Sequence, residues 1–205
     1  MPAVATGGAT ATAIAIVPHG IARPESIPRE IFDAALRTFL DGRRLDMRAL
    51  AGELGISRAT LYRRAGDRDH LLGQVMWYLT RVAMVRAIDG AGGLTGRERV
   101  LTVADRFMRY MDTRRPLRRL LDSEPEAALR ILTSKHGPIQ AGIIESLERL
   151  LREEIEAGCL HTTIEPPTLA YVIVRVGESF LYADAIASGE PDMDQAAEVL
   201  EQLLA

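Results

Sequence analysis

Between Ser57 and Arg68 stand the residues whose types and spacing say most about chemistry: Ser57, Arg58, Thr60, Tyr62, Arg63 and Arg68. An arginine presents a planar fork of N–H donors that fits a guanine edge or a phosphate, and a threonine offers a methyl and a hydroxyl. A serine that opens a helix turns backbone N–H groups and its own hydroxyl toward an anion. Such a set suits nucleic acid. An isolated basic helix could equally be a solvated surface, so the weight falls on the elements that would hold these side chains. Which of them read bases and which touch phosphates is not decided by the sequence.

Those elements are legible in the run from Leu45 to Leu72, LDMRALAGELGISRATLYRRAGDRDHLL. Met47, Leu50, Ala51 and Leu54 fall on one helical face. Asp46 stands where a helix N-cap belongs, and Gly55 where a helix ends on a left-handed residue. Ile56 is expected to plug the core, and Ser57 to cap a second short helix with Leu61 turned inward. Small Ala51 lets the two helices cross closely. This is the grammar of a helix-turn-helix, in which the second helix shows its polar, basic face to DNA.

Charge is distributed to match. Residues 43–72 hold seven arginines against four acidic residues, a net +3, whereas residues 73–205 hold fifteen basic and twenty acidic residues, a net −5. The whole chain carries −3 over 205 residues, so it is no basic coat protein. A positive head on an acidic body suits a protein that docks one end on DNA. The one cysteine, Cys159, excludes an intramolecular disulfide and is expected to be a packed, inert thiol. His19, His70, His136 and His161 share no metal-ligand spacing, and no nucleophile elbow, phosphate loop or dinucleotide fingerprint appears. No enzyme activity, metal or cofactor is therefore expected. Residues 9–17, ATATAIAIV, are apolar but lack preceding basic residues, and no run approaches a membrane span. A cytoplasmic location is expected.

The run RALAGELGISRATLYRRAGDRDHLL resembles the N-terminal signature of the TetR family of transcriptional regulators. The likeness lies in Leu54-Gly55-Ile56-Ser57 leading into the recognition helix, in Leu61-Tyr62 near its end, and in Arg68 where the next helix begins. Two positions depart from the pattern. Ala65 replaces the usual Phe after the recognition helix, and Asp46 replaces the usual Thr or Ser that opens the preceding one. An aspartate caps a helix well but repels phosphate. The resemblance implies that Tyr62 and Arg68 contact the DNA backbone. The stretches DGRRLDMRALAGELGISRATLYR and AYVIVRVGESFLYADAIASG look most like the branch of regulators of quorum-signal degradation, the QsdR-like proteins.

The rest of the chain reads as all-α, about nine helices in total, with no repeat and no convincing strand. Residues 1–24 are expected to be a disordered tail in which Arg23 meets solvent or brushes a phosphate; residues 25–72 form the DNA-binding head, and 73–205 a larger helical domain. Ser26 can cap the first helix, with Pro28 in its first turn. A long helix runs from about Arg68 to Asp89, and GAGGLTG, Gly90 to Gly96, is a loop. Phe107, Met108 and Met111 are residues of a kind more often core than cofactor site, and the resemblance implies that the core of this domain is also where an effector binds. Tyr171, Arg175, Glu178 and Tyr182 form a polar stripe at i, i+4, i+7 and i+11 that could line a pocket, cross a dimer seam or pair on the surface. Phe107, Met111, Tyr171 and Arg175 are the candidate ligand contacts. Glu153, Glu154 and Glu156 read as a solvated face. The resemblance places the dimer seam on helices 166–188 and 192–204, with Ala170 and Gly177 allowing close approach.

The resulting expectation is a homodimeric regulator of double-stranded operator DNA, most simply a repressor released by a small apolar effector such as an acyl-lactone. Its rivals are an activating or effector-free regulator, and a helical small-molecule carrier or enzyme without DNA function.

Overall fold

The computed structural model describes residues 21–134, 137–187 and 189–205, and every regular element among them is a helix. Contacts divide the chain into two compact units, one through Val82 and one from Ala83.

The first unit begins with α1, Arg29–Leu40, which buries Ile31, Phe32, Ala35, Leu36 and Phe39 on one broad face. Pro28 itself occupies the N-cap and no side chain bonds there, so Ser26 does not perform the capping expected of it. Residues 1–20, most of the expected tail, lie outside the described residues. Arg23 braces α1 through an ion pair with Asp33 at 2.7 Å, and this replaces the solvent or phosphate contact read from sequence. In α2, Met47–Glu53, the Asp46 carboxylate accepts the Ala49 N–H at 2.8 Å, and Met47, Leu50 and Ala51 are buried. Gly55 then takes φ +64°, the left-handed value that lets the chain turn at once. Leu54 and Ile56 are only half-buried, because both lie in this turn rather than beneath a helix. In α3, Arg58–Ala65, Ser57 Oγ accepts the Thr60 N–H at 3.1 Å, and Leu61 and Ala65 are the buried side.

Helix α4, Arg68–Asp89, runs without a break through the unit boundary. Its first half contributes Leu71, Leu72, Val75 and Tyr78 to the first core, with Tyr78 edge-on to Phe32 at 5.4 Å between ring centres.

The second unit contains α5 (Gly96–Asp112), α6 (Arg115–Ser123), α7 (Pro125–Thr133), α8 (Pro138–Glu156), α9 (Pro166–Leu181), α10 (Ala183–Ile186) and α11 (Met193–Leu203). Prolines fill the first turn of α6, α7, α8 and α9, where a missing N–H costs no hydrogen bond. Helix α9 is central: it packs on α5, α8 and α11. Eleven helices are thus present among the described residues, against about nine expected. The stretch read as one helix over 166–188 is broken at Tyr182, whose ψ of 22° ends α9 before the four-residue α10.

One clasp ties α8 to the start of α5. The Glu154 carboxylate accepts the Gly96 N–H at 2.5 Å and pairs with the Arg99 guanidinium. Burial raises the pKa of this carboxyl, but the Gly96 N–H and Arg99 outweigh it and hold the group below the usual glutamate value. Glu154 is therefore not part of a solvated face; it is 4 % exposed. Gly96 must be glycine, since a Cβ would lie 2.1 Å from the Cys159 carbonyl oxygen. The Cys159 thiol, expected to be packed, is exposed instead.

Candidate nucleic-acid interface and effector cavity

Within the first unit, α3 presents one exposed side. Arg58, Tyr62, Arg63 and Arg64 are exposed, with Tyr62 at 42 %, while Leu61 and Ala65 are 0 % and 2 % exposed. The exposed basic face and the core face of an eight-residue helix are therefore cleanly separated. At its N-terminus the Ser57 and Thr60 hydroxyls share a hydrogen bond of 2.9 Å, so both are held in place by the cap.

Beside this face lies a recess lined by Arg44, Asp46, Arg48, Arg58, Tyr62 and Arg68, with Leu45 and Met47. Four guanidinium groups against one carboxylate give the recess a positive lining. The Ala49 N–H holds the Asp46 carboxyl below the usual range, with the charges of Arg44 and Arg48 adding to this. Asp46 thus stays ionised and serves the cap. Arg68 donates from Nε to the Leu45 carbonyl at 2.8 Å, and so spans from the start of α4 to the approach of α2. That bond positions Arg68 in the recess as a strut as well as a charge.

Within the second unit a cavity lies between α5, α8 and α9, with Met84 and Leu200 also in its lining. It has about 510 Å³ of space between atoms, its mouth included, and only a small part of that is wide enough for a water molecule. Its lining is apolar except for Glu178 and Tyr182. Glu178 is 8 % exposed and accepts two contacts from Gln140 Nε2, both 3.0 Å, and one from Arg175 at 2.6 Å. Burial raises its pKa by more than Gln140 and Arg175 take back. Burial, reinforced by the nearby Glu178 charge, also pushes the Tyr182 phenol up, so it remains protonated.

Comparison with known proteins bears on both regions. Residues 95–205 match the family described as tetracyclin repressor-like, C-terminal domain. Among solved structures, the chain is similar to the R. erythropolis transcriptional repressor QsdR of the TetR family. The two are 32 % identical, the match covers 86 % of this chain and 93 % of that one, and the TM-score is 0.77. It is also similar to AlkX, a Dietzia TetR-family repressor implicated in biodegradation of n-alkanes, at 26 % identity, 85 % and 91 % coverage and a TM-score of 0.60. No match is found among curated proteins.

The chain belongs to the TetR family. This family consists of non-enzymatic transcription factors, and the chain is accordingly a DNA-binding regulator. Among the described residues no His, Cys, Asp and Glu side chains group as a metal site, and no helix is long and apolar enough to cross a membrane. His19 and His136 lie outside the described residues.

The structure gathers Arg58, Tyr62 and Arg68 around one recess and leaves Arg63 on the open face of α3. Arg44 and Arg48 also line that recess, although sequence reasoning counted them only as charge; their signal was their place two residues either side of the Asp46 cap. In the second unit, Phe107 lines the cavity and Met111 is buried in α5 away from it. Tyr171, 51 % exposed, lies on the surface, and Arg175 reaches the cavity only through its ion pair with Glu178. The stripe therefore passes from solvent at Tyr171 into the interior at Glu178 and Tyr182. Ala170 and Gly177, read as seam residues, are buried within the unit; a Cβ on Gly177 would lie 3.1 Å from Met108 Sδ. On the last helices, the exposed apolar side chains are instead Tyr171, Ile186 and Val199.

Proposed function

We propose that this protein is a sequence-specific repressor that places α3 in the major groove and leaves DNA when a small apolar effector fills the cavity of the second unit. The observation that carries the DNA half is the capped α3, with an exposed Arg58–Tyr62–Arg63 face above a fully buried Leu61. Ser57, Arg58, Thr60, Tyr62, Arg63 and Arg68 are the proposed contacts, joined by Arg44 and Arg48 for phosphates. A single α3 reaches too few base pairs for a specific site, so the protein acts as a two-fold dimer with its recognition helices about 34 Å apart. The effector half is supported by the apolar lining and by the kinship to a repressor implicated in n-alkane biodegradation. An acyl-lactone, with an apolar chain and a polar head, fits this lining. The continuous α4 is the covalent path by which the two events are coupled, and that coupling is reciprocal. One observation favours a second reading, an effector-free regulator: the cavity is narrow and must widen before a ligand enters.

The test is operator binding by single variants. Tyr62→Ala and Arg63→Ala should each weaken binding by roughly 1–3 kcal/mol per half-site while thermal stability stays unchanged. Both side chains are exposed, so neither deletion opens a core. If Arg63→Ala lowered stability but the folded fraction bound operator normally, this assignment of faces would be wrong.

A further inference from the structure

The effector reading leaves open which polar group an effector must carry. The cavity has one charged group in its wall, Glu178, and the arrangement around it is asymmetric. Gln140 on α8 donates to both carboxylate oxygens, and Arg175 donates to one of them. The Arg175 side chain is 48 % exposed and does not line the cavity, whereas that of Glu178 is 10 % exposed and does. A molecule inside therefore meets the carboxylate with its countercharge behind it. Tyr182, the other polar group in the wall, adds a phenol, and the Arg118 guanidinium whose charge reaches it is already paired with Asp112 and Asp184.

We infer that the cavity selects a neutral effector with an N–H or O–H donor on an apolar chain, and that Glu178 is the specificity-determining acceptor which turns alkyl carboxylates away. A carboxylate offers about four lone-pair sites, and Gln140 and Arg175 together leave room for one more donor. A donor that satisfies it costs the cavity nothing in buried charge. A second carboxylate brought beside it in a low-dielectric wall is repelled, and Arg175 lies on the wrong side to screen the pair. An ester of the same length feels no repulsion but provides no donor. The raised pKa of Glu178 agrees with a site that is poorly solvated rather than one built to hold two charges.

This inference rests on the cavity being the effector site, and the experiment separates the two. Octanamide, octanoate and methyl octanoate are titrated calorimetrically into the full-length protein at about pH 8, well above the usual carboxylate range. Octanamide should bind about tenfold or more tightly than octanoate, with methyl octanoate also weaker than the amide. In Glu178→Gln, whose amide can donate as well as accept, the gap between amide and carboxylate should close. Octanoate or the ester binding as tightly as the amide to the native protein would overturn the inference while leaving the effector site intact. A gap that persists in Glu178→Gln would overturn it too, by placing the discrimination elsewhere. Binding of none of the three would overturn the effector reading itself. The comparison in the native protein stands even if the variant does not fold.

Discussion

Leu61→Ala should destabilise the first unit by roughly 2–5 kcal/mol, the cost of deleting a fully buried leucine side chain and leaving a cavity in its place. Leu61 is 0 % exposed and, with Ala65, supplies the buried side of α3. An eight-residue helix is not stable by itself in water, so α3 holds its conformation only through this packing and its Ser57 cap. The expected result is a lower midpoint in urea with little change in slope, and loss of operator binding in proportion to unfolding. The contrast with Tyr62→Ala, one residue away, is the informative part. A cost for Leu61→Ala below about 0.5 kcal/mol, the level of an ordinary surface change, would mean that α3 is not anchored as described.

Glu154→Ala should cost roughly 1–3 kcal/mol, because it removes the acceptor for the first amide of α5 and leaves the Arg99 guanidinium only its longer pairing with Glu153. Glu154→Gln keeps an acceptor for Gly96 and should cost less. Acid provides an independent check. The Glu154 carboxyl titrates below its ordinary value near 4.5, so its contribution is present above that pH and is lost as the pH falls through the folded-state value. Glu154→Gln should flatten this acid limb of the stability curve. Glu178 has the opposite sign: its raised pKa means that ionising it in the folded state costs stability as the pH rises above the ordinary value. Chemical denaturation of both variants across this range checks the two signs together.

The first unit was legible because its instructions are local. Asp46, Gly55 and Ser57 each fix a helix end within a few residues, and Leu61 shares its short helix with the arginines it positions. The all-helical character followed instead from apolar periodicity with Pro and Gly at the breaks, since among the described residues of the second unit only Met193–Leu203 has a side-chain cap, Asp192 accepting the Gln195 N–H. What escaped the sequence is set by distant packing. Nothing near Tyr182 marks a helix end, yet α9 stops there. The stripe from Tyr171 to Tyr182 was read along one helix, but α9 ends at Leu181, and a stripe does not say how far along the helix its neighbours cover it. Two members proved exposed and two buried. Glu154 looked like its neighbours Glu153 and Glu156 because its partners, Gly96 and Arg99, are more than fifty residues away in the chain. For the same reason Arg68 read as a phosphate contact alone, while Leu45 takes its Nε–H across the fold of the first unit.

The central claim, that the basic face of α3 and the recess beside it dock on DNA as a dimer, is tested most directly by the salt dependence of operator affinity. If the dimer neutralises about six phosphates, log K should fall with log salt at a slope of about −5, from counterion release. A slope near zero, with affinity unchanged across the salt range, would contradict the account.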